Sequence, residues 1–331
     1  MSLAFAFGLA IVLSALLVFL VRRHAVLRGM LDQPNARSSH SVATPRGGGL
    51  GVVLAFLIMV ALTIRASFGL EEVCAIVAVL LVAAIGWVDD HGGAPVRAKL
   101  AVHLIAGALI LPLVSTLQLM GPPFLACAAW WVFWTVAAIN VVNFMDGIDG
   151  IIGLQTLIFG FYVALIGKSH STAQVAGLAL AGASIGFLFW NWTPSRIFLG
   201  DVGSGALGVI IVVLGLLLMR DGKIGLVVAF APLVPLFLDA TLTLVARVRR
   251  RERLSEAHRT HLYQRLANGG LGHARVAIGF GACSVCCALA AARFPSAGIL
   301  LLMGLLTPCL IAWVVFNSWL VGSTISGASS S

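Results

Sequence analysis

The chain has 331 residues, 60% of them hydrophobic and only 10% charged, with a mean hydropathy of +1.05. A water-soluble domain is about half apolar and a quarter charged, so this composition excludes one and calls for a bilayer as solvent. The net charge of +9 does not indicate a nucleic-acid partner: the basic residues lie in short loops between apolar runs, where they set topology and attract anionic lipids or phosphates.

Leu3 to Val21 is apolar and closes on Arg22, Arg23 and His24. No basic stretch precedes it and no clear cleavage site follows, so it reads as a retained first helix rather than a removable leader. A polar, basic loop then runs over 22–49, with turn signals at Asp32, Pro34 and Asn35 and at Thr44-Pro45-Arg46-Gly47-Gly48-Gly49. Arg46 there is compatible with a helix-initiating turn and with an anion contact. Further apolar runs follow at about 50–64, 73–88, 100–117, 122–142, 151–167, 173–190, 205–219, 224–246, 274–292 and 297–320, so about eleven helices of spanning length are expected. The fold class is an all-α polytopic membrane protein. It forms a single domain over residues 1–321, and a Gly/Ser-rich tail, 322–331, is expected to be disordered. The six cysteines all lie inside apolar segments. Cys283-x-x-Cys286-Cys287 has the spacing of a metal or redox motif, but its neighbours are Gly, Ala, Val and Leu, and it reads as packing.

Lysine and arginine fix the expected orientation. With the N-terminus outside, the basic loops 22–47, 89–99, 191–202 and 247–275 face the cytoplasm. Only Arg65, Lys168, Arg220, Lys223 and Arg293 of the 21 basic residues then lie outside. The same parity puts every polar cluster on that face: Asp89-Asp90, Asp146 and Asp149, Asp201, and His258 with His261. Carboxylates scattered among loops would not segregate in this way, whereas a shared site would. Asp239 stands about two turns inside the ninth run, at a depth where a carboxylate is costly and usually functional.

Each cluster has its own chemistry. Asn140, Asn143, Asp146 and Asp149 recur every third residue where a helix reaches water, and Gly147 and Gly150 let the backbone leave the helix there. Asp89-Asp90 with Lys99 offers paired carboxylates for a cation or a proton and an ammonium for a phosphate. Phe198-Leu-Gly200-Asp201-Val-Gly203-Ser204-Gly205 is a Gly-rich turn opening a helix, suited to anions and to one fixed metal ligand. His258-Arg259-Thr-His261 follows five arginines between Arg247 and Arg253, a setting that repels metals and favours an anionic diphosphate.

Taken together and in order, Gly-x-x-Asp-Asp…Lys at 86–99, Asn-x-x-Asn-x-x-Asp-Gly-x-Asp-Gly at 140–150, Phe-Leu-Gly-Asp-Val-Gly-Ser at 198–204 and His-x-x-His at 258–261 resemble the polyprenyl-phosphate N-acetylhexosamine-1-phosphate transferases. The resemblance covers nearly the whole chain. It implies a bacterial cytoplasmic-membrane enzyme that moves a sugar 1-phosphate from a UDP-sugar to undecaprenyl phosphate, with Mg²⁺ (or Mn²⁺) as cofactor and UMP as product. It makes Asp201 the principal metal ligand and gives Asp89 and Asp90 the acceptor phosphate or a share of the metal, with Lys99 as counter-charge. Asp146 and Asp149 beside Phe198 shape the nucleoside pocket, supported by Asn140 and Asn143. His258 and His261 meet the diphosphate or sugar. Beside the resemblance, Arg259 is a substrate-binding candidate, and the depth of Asp239 predicts that it lines the site or a path to it. Where the peptidoglycan enzyme carries three consecutive histidines this chain reads His258-Arg-Thr-His261, which favours an initiator of O-antigen or another surface polysaccharide over a muramoyl-pentapeptide substrate. A secondary transporter would need charges near the midplane, where only Asp239 lies. A CDP-alcohol phosphotransferase would need a motif that is missing after Asp146-Gly147. The oligomeric state is left open.

Overall fold

A computed structural model describes residues 2–33, 42–63, 69–117, 119–121, 123–222, 224–252 and 259–328. Inside a bilayer the backbone has only itself to bond with, so each apolar run closes into a helix. In order these are α1 (Leu3–Leu27), α2 (Gly49–Thr63), α3 (Leu70–Gly92), α4 (Val96–Thr116), α5 (Phe124–Met145), α6 (Ile151–Ile166), α7 (Thr172–Asn191), α8 (Asp201–Gly222), α9 (Leu226–Phe230), α10 (Val234–Arg249), α11 (Leu262–Leu266), α12 (Gly272–Arg293) and α13 (Gly298–Ala328). Among the described residues eight helical stretches are long and apolar enough to cross a membrane, and three shorter apolar helices, Gly49–Thr63, Ile151–Ile166 and Leu300–Phe316, occupy the other expected positions.

Three stretches depart from the sequence expectation. The run at 224–246 is not one helix: a 3₁₀ turn over Ala231–Leu233 separates α9 from α10. Pro232 lies within that turn and Pro235 in the first turn of α10, and neither has an N–H to continue the ladder. The basic loop before the tenth run contains the short helix α11. It leads through a wide turn, Ala267–Leu271, whose Gly270 has φ of 103°, into α12. Finally, α13 runs on to Ala328, past Gly322 where a disordered tail was expected, since no proline interrupts it after Pro308.

The core of the bundle is α8, whose residues Val202 to Val212 are all buried. It packs against α2, α3, α4, α5, α6, α7 and α9. Such close packing needs small residues, because lipid offers no hydrophobic drive between helices. Gly49 of α2 lies on Gly203, Gly86 of α3 on the backbone of Asp201, and Gly208 of α8 on Ile139 of α5. A Cβ added at any of these glycines would collide with the facing backbone. Large apolar side chains such as Phe133, Leu165 and Leu289 are exposed on the outside, as a lipid-facing surface requires.

At the end of the bundle where α3 and α5 finish and α4, α6 and α8 begin, the loops lock together. Leu31–Asp32 pairs antiparallel with Thr44–Pro45. The segment before α8 then adds to that strand: the Phe198 amide donates to Pro45 O (2.8 Å), and Gly48 and Gly49 donate to the carbonyls of Phe198 and Leu199 (2.9 and 2.8 Å). The polar clusters of the sequence are gathered at this end.

Candidate active site

Two carboxylates and an ammonium form the centre. Asp89 ends α3, Lys99 lies in the first turn of α4, and Asp201 is the first residue of α8. Lys99 Nζ donates to Asp89 Oδ2 at 2.8 Å and reaches Asp201 Oδ2 at 3.5 Å. The other Asp89 oxygen accepts from the Ala94 amide at 2.6 Å, which fixes the tight link between α3 and α4. Asp89 and Asp201 are themselves within hydrogen-bonding reach of each other, so the lysine stands where two like charges converge. Asp146, just past the end of α5, feels the same field: loss of hydration, reinforced by the Asp201 charge, pushes its carboxyl up to about 8.

Asp90 faces elsewhere. Its side chain is fully covered, and its two oxygens accept from the amides of Asp201 (3.0 Å) and Val202 (3.1 Å), with Arg46 Nε 3.7 Å away. It thus caps the N-terminus of α8, supplying the negative charge that the helix dipole favours there. The sequence paired it with Asp89 for metal or phosphate, but consecutive helix residues point about 100° apart, and only Asp89 points to Lys99. Arg46 completes the cap. It pairs with Asp32 at 3.3 Å as well as with Asp90, so the choice left open by the sequence resolves as an intramolecular ion pair beside a Gly turn.

Asp149 is likewise engaged. Its Oδ2 accepts from the Ser195 amide (3.2 Å) and lies 3.2 Å from His273 Nδ1 at the start of α12. Burial alone would raise this carboxyl, but His273 and the Ser195 contacts hold it below the usual carboxylate range. Gly150, in the left-handed region at φ 76°, donates to Asn191 Oδ1 at 2.9 Å, and Asn191 in turn donates to Ile197 O. The Asp146–Gly150 turn is therefore pinned to the segment that carries Phe198, whose own ties are the backbone bonds to Pro45 and Gly48.

Asp239 is buried in α10, and its oxygens accept from the amides of Leu262 (2.9 Å) and Tyr263 (3.2 Å), from Trp313 Nε1 (3.2 Å) and from Thr243 Oγ1 (3.3 Å). It caps α11, so the deep carboxylate is explained by backbone donors rather than by a polar path. Tyr263 extends the tie, donating through its hydroxyl to Phe144 O at 2.9 Å. His261 is 2% exposed, packed between the rings of Phe144 and Tyr263, and burial followed by the Arg247 charge lowers it to about 4. It is a neutral, enclosed ring and not an open cation. Arg259 is half-buried at the start of the same segment, and His258 lies outside the described residues.

A cavity of about 270 Å³ opens beside this centre, lined by Lys99, His103, Asn140, Asn143, Phe144 and Asp201 among others. Asn143 donates to Ser204 Oγ at 3.0 Å, and Asn140 uses one N–H on Val136 O at 2.7 Å. The structure thus brings together Asp89, Lys99, Asn140, Asn143, Asp146 and Asp201. It assigns Asp90, Asp149, Asp239 and His261 to the frame around them. Sequence reasoning did not name His103, although its place four residues after Lys99 on one helix face was the available signal.

Comparison with known proteins finds the profile of glycosyl transferase family 4 matching residues 73–219, which includes α4 to α7 and nearly all of α3 and α8. A probable undecaprenyl-phosphate N-acetylglucosaminyl 1-phosphate transferase of Bacillus subtilis is 26% identical over 272 residues, 77% of this chain and 74% of that protein. A phospho-N-acetylmuramoyl-pentapeptide-transferase of Symbiobacterium thermophilum is 28% identical, covering 60% of this chain and 67% of its own. A putative glycosyltransferase of Streptomyces coelicolor is 29% identical, covering 83% and 66%.

Proposed function

We propose that the chain belongs with glycosyl transferase family 4, whose profile matches residues 73–219, and that it transfers a sugar 1-phosphate from a UDP-sugar to undecaprenyl phosphate, releasing UMP. The observation that carries this reading is the single cavity into which α4, α5 and α8 project Lys99, Asn140, Asn143 and Asp201, beside Asp89 of α3. All these residues lie within the matched region. Phosphoryl transfer asks a protein mainly for positioning and charge neutralisation, and this cluster is built for both.

Lys99 receives phosphate charge at the point where Asp89 and Asp201 already hold its ammonium. Asn143, fixed by Ser204, supplies an uncharged polar wall. Asp89 stands next to the incoming acceptor and can take up a proton or share a cation. The donor set suits Mg²⁺: hard carboxylate oxygens, two of them brought together at Asp89 and Asp201. No cluster of three or more His, Cys, Asp or Glu suited to a metal occurs among the described residues. Asp89 and Asp201 would hold such an ion together with substrate phosphates. When bound, Mg²⁺ polarises the diphosphate and stabilises the UMP leaving group by several kcal/mol.

The polar end of the bundle faces the cytoplasm of a bacterial inner membrane, because that orientation leaves most of the Lys and Arg inside. The His258-Arg-Thr-His261 run directs the product to O-antigen or a related surface polysaccharide rather than to peptidoglycan. Purified protein incubated with undecaprenyl phosphate and a panel of labelled UDP-sugars tests the proposal. A Mg²⁺-dependent lipid-linked product and UMP are expected from at least one UDP-N-acetylhexosamine, with turnover falling by orders of magnitude in Asp201→Asn. Wild-type turnover in Asp201→Asn would remove that residue from the metal site, and no lipid-linked product from any donor would end the reading.

A further inference from the structure

The cavity has two polar tiers. Lys99, Asn143 and Asp201 form the one nearest the end of the bundle. His103 stands one helical turn further along α4, about 6 Å deeper. Asn140 lies a turn before Asn143 on α5, which runs the opposite way, so it sits at the same greater depth. Val82, Ile85, Leu100 and Ile139 wall this second tier, making it an apolar pocket with few polar groups. Among the described residues the His103 ring nitrogens have no hydrogen-bond partner, whereas Asn140 has already spent one N–H on Val136. The deep tier therefore offers an imidazole with both nitrogens unpaired, beside the carboxamide of Asn140.

The cavity also reaches the side of the bundle. Val96 and Leu100 line it while being 67% and 48% exposed on the outer surface of α4. On this face the wall between site and bilayer is one layer of side chains. A nucleotide sugar approaches from water at the bundle's end, where charge is concentrated. A lipid phosphate approaches from within the bilayer, and its first isoprene unit needs apolar walls below its head group.

Resting on the function proposed above, we propose that His103 is the acceptor-binding residue of the deep tier, donating an imidazole N–H to a phosphate oxygen of the polyprenyl phosphate while its isoprene end lies along Leu100 and Ile139. Lys99 one turn above neutralises the same phosphate and brings it to the Asp89–Asp201 centre. No bond is made or broken at His103; it sets where the acceptor stops.

The test uses the full-length purified protein, the UDP-sugar that wild type accepts, and undecaprenyl phosphate. His103→Leu is expected to raise the acceptor KM about tenfold, equivalent to about 1.4 kcal/mol, while the donor KM stays within about twofold. His103→Gln, which keeps a donor of similar reach, is expected to bring the acceptor KM back to within about threefold of wild type. A purely structural role would lower kcat alike in both variants with both KM values unmoved, and would overturn the proposal. So would a rise confined to the donor KM, which would put His103 in the sugar pocket. Direct binding of a short-chain polyprenyl phosphate decides the matter if His103→Leu is too slow to assay: tenfold weaker binding supports the role and equal binding refutes it. The same measurement separates this inference from the function, since a wild type inert with every donor refutes the latter while acceptor binding still tests His103.

Discussion

Asp89 and Asp90 are adjacent, chemically identical and embedded in one motif, yet their surroundings call for opposite responses to the same substitution. In Asp90→Asn one oxygen remains for the amides of Asp201 and Val202, and an NH₂ group is forced against the other donor and against Arg46. With the side chain fully covered, solvent cannot compensate. Losing one charge-assisted hydrogen bond costs about 1.5–3 kcal/mol, and losing the charge at the helix N-terminus adds up to about 2. A loss of about 2–4 kcal/mol is expected, seen as a melting temperature several degrees below wild type. Asp89→Asn keeps the oxygen that accepts from Ala94 and loses only a partly exposed pairing with Lys99, worth about 1 kcal/mol or less. Its melting temperature is expected to stay near wild type while turnover collapses. The assay is thermal unfolding of both variants in detergent, alongside UMP release per folded protein. If Asp90→Asn melted with wild type yet lost turnover as Asp89→Asn does, the capping role would be wrong and Asp90 would belong to the chemistry.

Other outcomes follow from the frame. Asp239→Asn is expected to lower the melting temperature and to speed proteolytic cutting between Arg249 and Arg265, because α11 loses its cap; unchanged cutting would show that the cap contributes nothing. His261 titrates at about 4 in the folded chain and near 6.5 when unfolded, so the unfolded state takes up its proton first as pH falls. Stability from this residue therefore rises between pH 4 and 6.5, by on the order of 3 kcal/mol, and is flat above. His261→Phe should flatten that part of the melting-temperature profile, and an unaltered slope would assign it to other groups.

The helices were legible because apolar runs leave the backbone no alternative in lipid. Their segregated carboxylates were legible because alternate helix ends share a side. What the residue string hid was direction within a cluster. Asp89 and Asp90 differ only by the rotation between helix neighbours, and nothing in the motif says which one meets the N-terminus of α8. Asp239 was visible as a costly buried charge, but the donors that satisfy it from Leu262, Tyr263 and Trp313 lie over twenty residues away and on two different helices. His103 was overlooked for a related reason: a single histidine in an apolar run looks like packing until the facing helix supplies Asn140 and the cavity between them.

The enclosure of α8 bears on how the molecule is put together. Six of the seven helices made before it, α2 to α7, touch it, so during synthesis they precede the post they surround. Until α8 arrives, Gly49, Gly86 and Ile139 face a vacant axis, and Asp90 has only Arg46 to answer its charge. The insertion of one glycine-bearing helix then closes the bundle and delivers Asp201 to Asp89 and Lys99 in the same event. A chain that has not finished packing therefore has no centre capable of touching a nucleotide sugar.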